Sequence, residues 1–426
     1  MTGALIAIGI LLCLLVLGVP MIAALLTAVA LLLYLSGQWG LSLPQTMVVG
    51  MSSYTLLALP LFVYAGSLMN SGGIAVRLFD FARSLIGWTK GGLAQVDVLT
   101  SIFFGGMVGS SAADLAGTGS VMIPAMKRHG YSGSLASAVT ASSSGVGPLI
   151  PPSSPAILYS AVTGTSLSAL FLAGLIPGLL LGLVFMLTIA WLARRHGYPT
   201  YGRFSLREVW KTGLAAAFAL GMPGLIIGGL VVGAFTPSEA GAFGAFYAAF
   251  VSCAIYRTLD FRGLYRATVA AVQMTGELLG IVALSVALGS ALSAAHVPQA
   301  FTGLIDLITI GDSMFMRLLA MMVIAVIAGM FIDPLIPVLV PVLMPALLAY
   351  GIDLTQFGVL MIMAVVIGQI TPPVAMSLII TARIAKVDQW QVFRANMPFF
   401  VVTLGFTLLL IGVPGLSTWL PAYMND

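Results

Sequence analysis

The first 76 residues contain no Lys, Arg, Asp or Glu, and residues 132–193 form a second charge-free stretch of 62 residues. An apolar run longer than about 18 residues reads as a membrane-crossing helix. The chain has 17 Lys+Arg and 13 Asp+Glu in 426 residues, so only 7% of it is charged, against about a quarter in an ordinary soluble domain. Too few polar side chains remain to cover a water-soluble particle of this size. A soluble enzyme is excluded, and so is a single-anchor protein with a large soluble domain, because no long polar segment exists. Outer-membrane barrels need short alternating strands, whereas these runs are long and continuous. The expected class is an all-α polytopic membrane protein.

The 48 Gly and 22 Pro fit such a bundle, where neighbouring helices satisfy freed backbone groups. The net charge of +4 reflects basic loops between spans, so nucleic acid is not expected as a partner. Cys13 and Cys253 both lie in apolar stretches, which gives no disulfide framework. The apolar N-terminal run has no basic residue before it and reads as a retained first span.

Three basic clusters orient the spans: Arg194, Arg195, Arg203, Arg207 and Lys211; Arg257, Arg262 and Arg266; and Arg383, Lys386 and Arg394. The positive-inside rule places all three in the cytoplasm. A last span over 396–420 then leaves the C-terminus periplasmic. The most polar connection, 196–211, divides the chain into an N-terminal repeat, 1–195, and a C-terminal repeat, 212–426.

The repeat is visible in the residues. Ile123-Pro124-Ala125-Met126, Gly130 and Ile150-Pro151-Pro152 correspond to Met344-Pro345-Ala346-Leu347, Gly351 and Thr371-Pro372-Pro373. Each prolyl or glycyl marker recurs after 221 residues. A weaker pair, Leu17 to Pro20 against Leu220 to Pro223, recurs after 203. Lys90 and Lys127-Arg128 flank 91–126, so that segment enters and leaves on one side. Its counterpart, 315–349, falls on the opposite side by span counting. Inverted repeats with re-entrant hairpins and broken helices characterise secondary transporters, whose sites lie near the bilayer midplane.

Chemistry concentrates at the two hairpin tips and the two breaks behind them. The first tip carries Ser110, Ser111 and Asp114 among small residues. Hydroxyl, carboxylate and freed carbonyl oxygens suit a hard monovalent cation, and a carboxylate at the bilayer centre costs about 2.5–3.5 kcal/mol by insertion scales. The plainer alternative is a Gly/Ser packing face. The second tip carries Gly329 and Asp333-Pro334, where Asp333 also suits a helix N-cap. The breaks are Ser142 to Pro155, including Ser144, Gly145 and Pro148, and Gly368 to Pro373, including Gln369 and Thr371. Proline denies backbone donors there, and a helix restarting after the break points its positive end at the gap. Thr236-Pro237-Ser238-Glu239 reads as a structural helix cap, with Ser238 or Thr236 as the N-cap and Glu239 in the positive first turn. Asp97 and Glu277 sit in apolar helices, where each either pairs across the bundle or faces water. His129, His196 and His296 have no metal spacing. Neither a phosphate loop nor HExxH occurs.

These stretches resemble the large membrane subunit of TRAP (tripartite ATP-independent periplasmic) transporters, within the wider ion-transporter superfamily. The specific ones are Gly109 to Asp114, Ile123-Pro124 through Gly130-Tyr131, Ile150 to Ser153, Thr236 to Ala240, Met330 to Pro334 and Gly368 to Val374. Ala375 departs from the family, which usually has Gly there. The resemblance implies a Na+-coupled elevator in the bacterial inner membrane. Its transport domain would comprise 91–163 and 315–386, sliding against a scaffold of the remaining helices. It implies one Na+ site at Ser110, Ser111 and the break Ser144, Gly145 and Pro148, beside Asp114. A second is implied at Gly329, Asp333, Gly368 and Thr371, with substrate near Ser111, Thr118, Ser153 and Ser154. The implied partners are a small four-helix membrane subunit, a periplasmic substrate-binding protein and membrane lipid. The implied cargo is a small carboxylate-bearing or zwitterionic metabolite. A stand-alone Na+- or H+-coupled carboxylate symporter of the same superfamily is the nearest alternative. An intramembrane aspartyl protease is a distant one, because Asp114 and Asp333 lack a GxGD or YD context.

Overall fold

A computed structural model describes residues 2–37, 42–295, 297–309 and 313–425. All regular structure among them is helical. The N-terminal part runs α1 (Thr2–Val16), α2 (Met21–Leu35), α3 (Ser42–Met51), α4 (Ala58–Ser71) and α5 (Ile74–Ile86). Then come α6 (Gly92–Val108), α7 (Ser111–Asp114), α8 (Ser120–Arg128), α9 (Gly133–Ser143), α10 (Ser154–Thr163) and α11 (Leu167–His196). The C-terminal part runs α12 (Leu206–Val231), α13 (Pro237–Phe250), α14 (Phe261–Ala294), α15 (Val297–Ile308), α16 (Met314–Gly329) and α17 (Ile336–Ala349). It closes with α18 (Leu354–Gln369), α19 (Met376–Ala385), α20 (Gln389–Gly412) and α21 (Gly415–Asn425).

Five helical segments among the described residues are long and apolar enough to cross a membrane: Leu167–His196, Leu206–Val231, Pro237–Ile255, Phe261–Ala294 and Gln389–Gly412. Leu43–Met51 and Tyr54–Ser71 form a pair bent by 62°. The other helices are shorter, which suits pieces of broken or returning segments.

The expected last helix, 396–420, is two. It starts earlier, because the Asp388 carboxylate accepts from the Trp390 and Gln391 backbone amides at 2.9 and 3.3 Å. It stops at Gly412, and α21 begins just past Pro414 and packs back on α11. The α3 helix was not expected from the sequence. The Thr236–Glu239 cap is present as a reciprocal pair: the Thr236 hydroxyl accepts from the Glu239 amide and Glu239 Oε2 from the Thr236 amide.

The 221-residue repeat recurs as backbone geometry. Tyr131 N donates to Met126 O at 3.1 Å, and Ile352 N to Leu347 O at 3.0 Å. The residues just before, Gly130 and Gly351, both have left-handed φ, 86° and 64°. The next helices are capped alike: Ser132 Oγ accepts from Leu135 N at 3.2 Å and Asp353 Oδ1 from Gln356 N at 2.8 Å. At the breaks, Ile150 N donates to Gly147 O and Thr371 N to Gly368 O, each at 3.2 Å. All four pairs keep the same spacing. The weaker upstream pair does not recur locally: Pro20 precedes α2, whereas Pro223 lies inside α12.

Segment 91–128 returns to where it began. Gly91 sits against Ala193 near the end of α11. Just past the segment, the Tyr131 ring lies 5.4 Å from Tyr198, and His129 4.4 Å from Tyr201. Segment 314–349 does the same: the Arg317 guanidinium lies 4.3 Å over the ring of Tyr350, just past its end. The two bases lie at opposite ends of α20. Lys127 Nζ donates to Ala385 O at 2.6 Å, four residues before α20 begins. The 24 residues of α20 span about 36 Å. At its far end Leu410 O accepts from Gln356 Nε2, and Gly412 lies beside Phe315.

The basic clusters gather at one end. The first and third meet at the base of segment 91–128, as above. The second joins them through Tyr256, whose hydroxyl donates to Ala215 O in α12.

Candidate functional site

The tip of segment 91–128 is shaped by one close approach. Gly109 has φ 60°, and a Cβ there would fall 1.6 Å from Pro152 O. Only glycine fits both conditions. The contact seats the tip on the first break, and Ser154 N donates to Gly109 O at 3.2 Å. The second tip is tied to the second break, since Gln369 Nε2 donates to Asp333 Oδ2 at 3.2 Å.

Both tips and both breaks line one cavity of about 250 Å³. Ser110, Ser111, Pro148 and Ser154 come from the first set, and Asp333 and Gln369 from the second. The remaining wall is α14, through Met274, Glu277, Leu278 and Ile281. These four share one face at helical spacing. A smaller cavity of about 130 Å³ shares Ser110, Ser154 and Met274 and extends toward Asn70 of α4.

Several oxygens around the main cavity have no protein partner. Ser111 is 3% exposed and its Oγ makes no hydrogen bond, and Gln369 Oε1 is likewise buried and unpaired. An unpaired buried polar atom costs about 1–3 kcal/mol. Such oxygens therefore suit an occupant, either a cation that takes lone pairs or a solute that donates to them. The donor set here (hydroxyl, amide oxygen and carboxylate) is one that suits a hard cation.

The other singled-out residues divide by placement. Ser153 lies behind the cavity wall as the N-cap of α10: it accepts from Ala156 N at 3.2 Å and its hydroxyl donates to Pro148 O. Ser144 Oγ is turned back onto Ala141 O at 2.8 Å, and Thr371 Oγ1 onto Ile367 O at 2.5 Å. Gly145 faces Val366, and Gly329 lies against Gly368. Ser144, Gly145 and Thr371 thus contribute backbone to the breaks, and Gly329 to the second tip, rather than free hydroxyls.

Asp114 and Thr118 point elsewhere. Thr118 Oγ1 donates to Asp114 Oδ1 at 2.9 Å, both side chains are buried, and neither lines the cavity. A π-helical turn, Leu115–Gly119, sets this orientation. Asp97 is close by in the same buried layer and accepts from Thr140 at 2.5 Å. The described residues hold no cluster of three or more metal-ligating His, Cys, Asp or Glu. His129 and His196 bond backbone carbonyls of their own helices, and His296 lies outside the described residues. Glu277 is the cavity residue that sequence reasoning left unassigned. Its signal was a lone charge between Arg266 and Asp306.

Comparison with known proteins places the chain in a family. Residues 8–416 match the family described as Tripartite ATP-independent periplasmic transporter, DctM component. The chain is 35% identical over 374 residues to the C4-dicarboxylate TRAP transporter large permease protein DctM of Pseudomonas aeruginosa, covering 87% of each. It is 35% identical over 417 residues to the 2,3-diketo-L-gulonate TRAP transporter large permease protein YiaN of Escherichia coli, covering 97% and 98%. To the sialic acid TRAP transporter large permease protein SiaM of Vibrio cholerae it is 36% identical over 408 residues, covering 95% of each. Among solved structures, the Alcanivorax borkumensis YdaH transporter shares the fold, with a TM-score of 0.58 at 14% identity over 88% of both chains. These relatives are transporter permeases and not enzymes, and the chain belongs to the DctM family of TRAP transporter large permeases.

Proposed function

We propose that this permease is the large membrane subunit of a Na+-coupled importer of a small carboxylate-bearing or zwitterionic metabolite in a bacterial inner membrane. The observation that carries the reading is the single cavity shared by two hairpin tips and two helix breaks drawn from segments 221 residues apart. The halves 1–195 and 212–426 act as inverted repeats joined by 196–211, and the two hairpin bases at opposite ends of α20 support this. Segments 91–126 and 315–349 are re-entrant. With their broken helices they form a transport domain, 91–163 and 315–386, that moves as an elevator against the other helices. The basic end faces the cytoplasm and the C-terminus the periplasm.

Na+ is cargo in this scheme. One site draws on Ser110, Ser111 and the break at Ser144–Pro148, and the other on Gly329, Asp333, Gly368 and Thr371. The unpaired oxygens of Ser111 and Gln369 support such occupancy. Filling both sites removes uncompensated oxygen lone pairs around the cavity, so solute binds well only with the ions in place. That is a coupling free energy between sites. Asp114 acts one layer behind the first site, through Thr118. A small four-helix membrane subunit extends the scaffold and a periplasmic binding protein delivers the cargo.

The test is uptake in proteoliposomes containing both membrane subunits and the binding protein. Uptake should follow an inward Na+ gradient and vanish when K+ replaces Na+. Equal uptake in K+ would sink the coupling.

A further inference from the structure

Two carboxylates line the main cavity, Asp333 and Glu277. No Lys, Arg or His lines it among the described residues. Asp333 is held by Gln369 at one end. Glu277 comes from the α14 wall, is exposed, and has neither a hydrogen bond nor an ion pair among the described residues. Its neighbours on that face are Met274, Leu278 and Ile281. A lone carboxylate on an apolar wall at membrane depth costs about 2.5–3.5 kcal/mol by insertion scales. Such a carboxylate either faces a water-filled cavity or meets a cationic partner.

The α10 side of the cavity has the opposite preference. Helix α10 starts at Ser154, with Pro155 in its first turn, and both residues face the cavity. A ten-residue helix presents the positive end of its dipole there, although its first amides are already engaged, Ser154 N by Gly109 O and Ala156 N by Ser153 Oγ. The buried hydroxyl of Ser111, unpartnered and on the same wall, adds a free donor for an anion.

We infer that the cargo is a zwitterion, whose carboxylate lies at Ser111 and the start of α10 and whose cationic nitrogen pairs with Glu277. This rests on the transport reading above and narrows its substrate class: a dianion would bring like charge against Glu277. Glu277 is then the residue that determines specificity, a role carried by charge complementarity. No aromatic ring lines the cavity among the described residues. The nitrogen is therefore bound as a hydrogen-bonding ammonium rather than a caged quaternary group.

Three probes of similar chain length separate the possibilities: succinate, 4-aminobutyrate and putrescine. Each is added at tens of millimolar to the purified permease in Na+, and thermal stabilisation is read. 4-Aminobutyrate should stabilise the wild type more than either of the others. In Glu277→Gln the preference for 4-aminobutyrate over succinate should fall by about tenfold or more in apparent affinity, with Glu277→Met behaving alike. Each variant's stabilisation by Na+ alone should match the wild type, which shows that it is folded. Equal or better stabilisation by succinate in the wild type overturns the inference, as does the absence of any 4-aminobutyrate effect or an unchanged preference in Glu277→Gln. Loss of the Na+ effect in the wild type instead counts against the transport reading.

Discussion

Gln369 Nε2 donates to Asp333 Oδ2 at 3.2 Å, which joins the tip of the second hairpin to the break in the helix behind it. The amide spends a donor on the carboxylate while its own oxygen stays buried and unpaired. One side chain thereby positions the acid and presents a free acceptor. Asp333→Ala should reduce Na+-driven uptake in proteoliposomes by about tenfold or more, the factor for ~1.4 kcal/mol of lost binding, without loss of membrane insertion. Normal uptake by this variant would remove Asp333 from coupling.

The two breaks differ in how tightly they are packed. A Cβ on Gly368 would fall 2.4 Å from Gly329 O, whereas one on the repeat-related Gly147 would meet Gly105 Cα at 3.5 Å. Overpacking against backbone costs about 1–3 kcal/mol. Gly368→Ala should therefore lower the melting temperature in detergent clearly, and Gly147→Ala far less. Equal shifts would contradict the close approach of α16 to α18.

The matched caps at Ser132 and Asp353 each satisfy one amide at a helix start. Replacing either by Ala should cost about 1 kcal/mol. The caps belong to helices whose hairpin bases lie at opposite ends of α20, so the double variant should lose the sum of the two single losses. A double variant no less stable than the worse single would argue against independent caps.

Lys127 anchors the base of the first hairpin to the last turn of α19 through Ala385 O at 2.6 Å. The ammonium also meets the negative end of that helix. Lys127→Met should cost about 1 kcal/mol and increase proteolytic nicking near 127–130, read by limited trypsin digestion at the neighbouring Arg128. Unchanged nicking would make the anchor dispensable.

The sequence carried the repeat well because its markers are prolines and glycines. Those residues dictate backbone directly, and Gly130 and Gly351 recur in the same left-handed turn. Other features were less legible for physical reasons. Helix α3, at Ser42–Met51, is short and holds Pro44 and Gly50, so its composition reads as a loop. The stop before α21 lies inside one apolar run, where only Pro414 marks it. The sequence put Asp114 beside the turn at Gly109 but did not say which way it points. Its direction depends on the π-helical turn that follows, and a one-residue widening of a helix leaves no mark in hydrophobic pattern. Glu277 was visible as a lone charge, yet the wall it faces is set by how α14 packs on the hairpins. That information is tertiary.

The central claim is that two hairpins enter from opposite faces and meet at one chamber. Single cysteines at Trp88, Arg128, Ser313 and Leu348, in a chain with Cys13 and Cys253 replaced, test it by labelling with a membrane-impermeant maleimide from each side. Trp88→Cys and Arg128→Cys should react only from the cytoplasmic side, and Ser313→Cys and Leu348→Cys only from the periplasmic side. Labelling of one hairpin's two ends from opposite sides, or of all four positions from one side, would contradict the account.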